Sequence, residues 1–231
     1  MTKSSRPRPR TAQWHLLPHG LPPAGAVECY FYKWRDDGTD LAIHDPLRWQ
    51  LREKKRRSAD PSLLVMGTQS IHAAVGVPAG TTGKGASKRV PGRKRCLAVD
   101  VSGLVVEAVV LHASAHDNAV GIALLNGVAA QCDTVKKALV DQGFKKTVVD
   151  HGKYLGIDVE IVERNPAEKG FVPQAKRWIV EQTNGILLFY RRLVRDYEHR
   201  LATSRSRVFW AMTSVMARRL TGATIGSWRT A

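Results

Sequence analysis

The sequence predicts an α/β layer fold, a mixed sheet flanked by helices, with a small helical region ahead of it. Three observations lead there. Apolar and β-branched runs of strand length recur at Leu63–Met66, Cys96–Val101, Leu104–Leu111, Ala138–Val140 and Ile157–Val162. The first three form a meander, whereas helical patterns alternate with the last two. The chain has 231 residues and is 43% hydrophobic, enough for one sizeable domain plus a small one.

Residues 1–60 read as a basic arm and a small helical unit. Arg6, Arg8 and Arg10 stand between prolines in an opening with no apolar core, so it is not a secretory signal. Trp14, Leu16 and Leu17 are apolar anchors. Pro22-Pro23 sets up a helix whose Val27, Tyr30, Phe31 and Trp34 share one face. Asp36-Asp37-Gly38 stops it. Asp45 then suits the cap of a second helix, with Pro46 at its first position, Leu47, Trp49 and Leu51 as apolar residues, and a basic end over residues 52–57. Two such helices suit a helix-turn-helix-like DNA reader or a helical cap on the main domain.

Residues 61–200 carry the sheet. After Asp60-Pro61-Ser62 breaks the chain, a strand over Leu63–Met66 ends at Gly67-Thr68-Gln69-Ser70. Residues 76–95 are rich in glycine and base and read as an exposed loop, solvated or clamping phosphate. Ser102-Gly103 joins the next two strands as a hairpin. Asp117 can cap a helix that turns Val120, Ala123, Leu124 and Val128 inward. Ala138–Val140 delivers Asp141, followed by Gln142-Gly143-Phe144. A helix with Val148, His151 and Leu155 precedes the strand over Ile157–Val162, and Asn165 to Pro173 is a loop.

One long helix is expected from Arg177 to Tyr197. Ile179, Thr183, Ile186, Tyr190, Leu193 and Tyr197 fall on one stripe; Arg177, Glu181, Asn184, Leu188, Arg192 and Arg195 fall on the other. Residues 201–231 form a basic helical tail with Phe209, Met212 and Met216 on one face. This order of elements suits an RNase-H-like domain.

The formal charge of +16 and pI of about 10.2 point to a polyanionic partner, nucleic acid first. Cys29, Cys96 and Cys132 lie far apart without zinc spacing, which suggests buried thiols in a reducing compartment. No apolar run spans a bilayer.

Two acids stand out. Asp141 leaves a strand into a glycine turn, and Glu181 sits among arginines on a helix. Carboxylates converging from separate elements can hold a pair of Mg²⁺ ions that activate a nucleophile and stabilise both oxygens of an in-line phosphoryl displacement. Asp141 equally suits plain turn initiation before Gly143, and Glu181 a helical ion pair with Arg177.

Five stretches in order resemble bacterial insertion-sequence transposases of the DDE class: residues 27–38 (VECYFYKWRDDG); Gly67-Thr68-Gln69-Ser70; Gly92-Arg93-Lys94-Arg95 with Val99-Asp100; Asp141-Gln142-Gly143-Phe144; and Arg177-Trp178-Ile179-Val180-Glu181 with Arg191-Arg192-Leu193. The resemblance implies an RNase-H-like catalytic domain. It implies Asp141 and Glu181 as catalytic metal ligands for Mg²⁺ or Mn²⁺, and DNA at terminal inverted repeats as the partner. Arg177 and Arg192 would contact phosphates near the scissile bond, and Arg93, Lys94 and Arg95 flanking ones. A homo-oligomer in the bacterial cytoplasm, associated with the nucleoid, is expected.

The first acid of the family's pattern does not carry over, because position 67 is glycine. Losing a shared metal ligand costs orders of magnitude in rate. The expectation is therefore a transposase with crippled chemistry. The alternatives are a non-catalytic DNA-binding relic and an RNase-H-like nuclease using Asp100 with Asp141 and Glu181. Asp100 is otherwise read as a hairpin residue facing solvent. Family members often have more sequence ahead of Trp14, so the amino terminus reads as truncated.

Overall fold

The computed structural model describes residues 14, 17–85, 90–162 and 177–223. The arm over residues 1–10, Leu16, the loop expected at 165–173 and the end of the tail lie outside them.

The sheet is built on β1 (Leu63–His72) and β3 (Pro91–Asp100), which pair antiparallel from Leu64↔Asp100 to His72↔Gly92. The hairpin strand β4 (Val105–His112) pairs with the far side of β3. On its other side β1 runs parallel to β5 (Lys137–Val140), and β5 parallel to β6 (Asp158–Ile161). A two-residue β2 (Gly83–Lys84) adds to the start of β3. The order β4-β3-β1-β5-β6 is the mixed, helix-flanked sheet expected of an RNase-H-like domain.

The two-residue period of β1 divides the core. Leu64 and Met66 face α3 (Asp117–Gln131) and α4 (Lys146–Tyr154), packing with Val120, Leu124, Val140, Phe144 and Val148. Val65 faces the opposite layer, α5 (Trp178–Leu187) and α7 (Leu201–Thr221), with Leu97, Val99, Ile179, Val180, Leu187, Phe209 and Met212. The tail's expected apolar face is thus a core face.

Ahead of the sheet lie α1 (Ala24–Asp36) and α2 (Thr39–Lys54). The second begins at Thr39, not at Asp45. Asp37 accepts hydrogen bonds from the Thr39 backbone N–H (3.0 Å) and hydroxyl (2.6 Å), which starts the helix about two turns early and leaves Pro46 inside it. The inward face of α2 carries Asp40, His44, Arg48, Leu51 and Arg52. Asp40 accepts from the Ser206 hydroxyl of α7 at 2.5 Å, and the His44 ring meets Phe209 edge-on at 5.1 Å. α2 thus packs against α7.

Three further expectations are corrected. β1 does not stop at Met66; it continues through Gly67 to Ser70 because β3 pairs with it along that whole length. The loop expected over 76–95 is shorter, since Arg93, Lys94 and Arg95 belong to β3. The long helix ends at Leu187. After the turn Leu188-Phe189-Tyr190, the short α6 (Arg191–Val194) resumes and buries Leu193. The buried face of α5 is Ile179, Val180, Thr183, Asn184 and Leu187, so Asn184 faces inward and not among the arginines. No helix among the described residues is long and apolar enough to cross a membrane.

Candidate active site

Asp141 follows the last residue of β5, and Glu181 sits in the first turn of α5. They are forty residues apart in sequence, yet both carboxylates face one guanidinium. Arg177 Nη2 lies 3.6 Å from Asp141 Oδ2 and 3.7 Å from Glu181 Oε1. The two oxygens can be no farther apart than those two lengths laid end to end. The other oxygen of Asp141 accepts the Gly143 N–H at 2.8 Å, so the turn-initiation reading holds for one oxygen while the second faces the site. Asp141 and Arg177 are about a quarter exposed and Glu181 more than half, so the cluster opens to solvent.

Gly67 stands beside this pair. β1 and β5 are in register at Val65↔Leu139, and Gly67 and Asp141 are each two residues further on. By the two-residue period Gly67, like Val65, faces the α5 side of the sheet. What fills the space is Val180. A Cβ placed on Gly67 would lie 2.8 Å from Val180 Cγ1 and 3.1 Å from Cγ2. Normal carbon–carbon contact is about 3.5–4.0 Å. The residue immediately before Glu181 thus closes the position next to Asp141. Sequence reading missed Val180. The available signal was a β-branched residue adjoining the acid, opposite a glycine in a strand.

Asp100 is corrected on both of its readings. It is a hairpin residue, but fully buried: Oδ2 accepts from Arg52 of α2, and Oδ1 accepts the backbone N–H groups of Ser102 (2.8 Å) and Leu104 (2.9 Å). Its cross-strand partner Leu64 lies three residues, about 10 Å, before Gly67. A carboxylate so engaged does not join Asp141 and Glu181.

The basic residues divide in two. Arg93 is fully buried, donating to Asp196 Oδ1 (2.8 Å), the Thr81 hydroxyl (2.6 Å) and the His199 carbonyl (3.2 Å). Arg95 is also buried, donates to the Leu193 carbonyl at 2.9 Å, and burial pushes its pKa down to about 10. Lys94, on the other face, pairs with Asp117 at 2.7 Å. The basic run in β3 thus anchors the α6–α7 connection and the start of α3. Arg192 donates Nε and Nη2 to Glu198 Oε1 at 2.9 and 2.7 Å, away from the acid pair. Of the basic site residues read from sequence, Arg177 is the one the fold brings to Asp141 and Glu181.

The donor set does not fit a pair of divalent ions. Two carboxylates share one cation, the third position is a glycine packed under valine, and no group of three or more His, Cys, Asp or Glu among the described residues could hold a metal. Cys96 offers no substitute, since burial raises its thiol pKa and keeps it protonated.

A family model described as a transposase DDE domain matches residues 37–216. No curated protein matches the chain.

Proposed function

The chain belongs to the transposase DDE-domain family, and on that premise we propose that it is an insertion-sequence transposase whose cutting and joining chemistry is disabled at Gly67 while DNA binding is retained. Members of this family act on DNA and use divalent metal ions. In the intact chemistry, paired ions held by carboxylates stabilise the attacking and leaving oxygens of an in-line displacement at element ends. Here Asp141 and Glu181 are the acids that would ligate Mg²⁺ or Mn²⁺, and Arg177, between them, is the residue that would meet a phosphate.

The observation carrying this reading is Val180 packed against Gly67, on the strand whose neighbour β5 leads into Asp141. A solvent-facing glycine would leave room for water to complete a coordination shell. A glycine packed under a β-branched side chain leaves none. Two carboxylates in a protein of charge +16 hold a divalent cation weakly. DNA binding makes no such demand, because the charge excess is enough for a salt-dependent interaction with phosphates.

The test uses the purified chain with supercoiled DNA and with duplexes carrying the element's terminal repeats. Expected are a mobility shift that weakens steeply with salt and no nicking with Mg²⁺ or Mn²⁺. Metal-dependent nicking abolished by Asp141→Asn would overturn the disabled reading and restore an active transposase. A nicking-competent chain bearing both Gly67→Asp and Val180→Ala would support it.

A further inference from the structure

The α5–α6 turn carries a feature that the acid cluster does not use. Phe189 is 85% exposed, and Leu188 and Val194 beside it are also exposed. Together with Ile186 and Tyr190 it borders a groove of about 860 Å³ whose remaining walls include Arg191 from α6 and Arg218 and Arg219 from the last turn of α7. Among the described residues no carboxylate lines it. Arginines at the end of α7 answer the helix dipole by themselves. That does not account for an aromatic ring standing in solvent on a different element, nor for Arg191 beside it.

The geometry points to a seat for an unpaired DNA base, with Phe189 as the stacking face and Arg191, Arg218 and Arg219 holding the flanking phosphates. An exposed ring ringed by cations matches the π-face and charged backbone of a single strand. A duplex hides its base faces and would find only the arginines. A second copy of this chain, carrying the same +16 charge, would bring cations to a cationic rim. Phe189 is eight residues beyond Glu181, of which the six to Leu187 span about 9 Å of helix and the last two lie in the turn, within reach of a few nucleotides spreading from the acid pair. The inference rests on DNA as the partner, but on neither metal nor chemistry.

The experiment measures affinity of the full chain for a fluorescent single-stranded oligonucleotide unrelated to any element, and for its duplex, without divalent metal. Phe189→Ala should weaken single-strand binding about tenfold or more and change duplex binding less than about twofold. Phe189→Trp should restore it. A 2-aminopurine base in the single strand should be quenched by the unaltered chain and not by Phe189→Ala. Because the ring is exposed, the melting temperature should not move. Equal weakening on both DNAs, or none on either, overturns the inference. Loss of self-association by Phe189→Ala with DNA affinity intact also overturns it and assigns the groove to a second copy. Duplex binding without single-strand binding would sink this inference alone; nicking by the unaltered chain would sink the disabled-transposase reading alone.

Discussion

Replacing Gly67 by aspartate should destabilise the protein by itself, and removing the Val180 methyls should relieve much of that cost. Both Val180 methyl carbons lie within 3.1 Å of where the new Cβ would be, several tenths of an ångström inside normal contact. Val180 is β-branched and stiff at χ1, so rotation does not clear both methyls at once. Overpacking of this kind costs about 1–3 kcal/mol. Val180→Ala removes two buried methyl groups and should cost about 1–2 kcal/mol, since each buried carbon contributes about 0.8 kcal/mol. With both changes the new carboxylate occupies the volume the methyls vacate. The double variant should therefore be more stable than the sum of the singles by at least about 1 kcal/mol, a coupling typical of residues in contact. Urea unfolding of the four chains measures it. If the singles add to within about 0.5 kcal/mol, Gly67 does not lie under Val180 and the account of the closed third position is wrong. Nicking should follow the same pattern: absent in Gly67→Asp, present in the double variant.

Two further outcomes follow from buried charge. Arg52→Ala strands the Asp100 carboxylate at full burial and should cost about 3–5 kcal/mol by chemical denaturation, while Asp100→Asn leaves DNA affinity unchanged because that side chain is remote from the acid pair. Burial would raise the pKa of Asp60, but hydrogen bonds from the Trp49 indole and Arg48 outweigh it and hold the carboxyl below its ordinary range. With the folded value depressed, the stabilisation is present above the unfolded pKa, about 3.9, and is lost as pH falls through the folded value. Melting temperatures below about pH 4 should fall less steeply in Asp60→Asn than in the unaltered chain; parallel curves would refute this.

The fold was legible where periodicity decides it. The strands at 138–140 and 157–162, the hairpin at Ser102-Gly103 and the core face of α7 all follow from apolar runs, turn residues or helical spacing, because their apolar residues are the ones that reach the core. Legibility failed where a distant partner overrides local preference. Arg93 and Arg95 read as loop because basic residues rarely enter a strand core, and only Asp196, Thr81 and the Leu193 and His199 carbonyls make their burial tolerable. Asp100 read as solvent-facing because its partner Arg52 lies 48 residues earlier on α2. At the site, the meeting of Asp141 with Glu181 followed from the family pattern, whereas the blocking role of Val180 needed the distance between α5 and β1.

Arg177 raises a separate question: whether the guanidinium between the two acids is itself what keeps a metal out. Its contacts say otherwise. At 3.6 and 3.7 Å they are longer than hydrogen bonds, and both acids and the arginine are partly exposed. Such pairs contribute about 0–1 kcal/mol each, too little to exclude a divalent cation from a competent donor set. On the proposed reading the barrier is the number of carboxylates, not these two ion pairs. Arg177→Ala should leave Mn²⁺ binding undetectable by calorimetry, while lowering the salt slope of duplex binding by about one, as expected for one lost phosphate contact. The chain bearing Gly67→Asp with Val180→Ala should bind Mn²⁺ with Arg177 still in place. Tight Mn²⁺ binding on removing Arg177 alone would show that two acids suffice, and that the glycine at position 67 is not what disables the site.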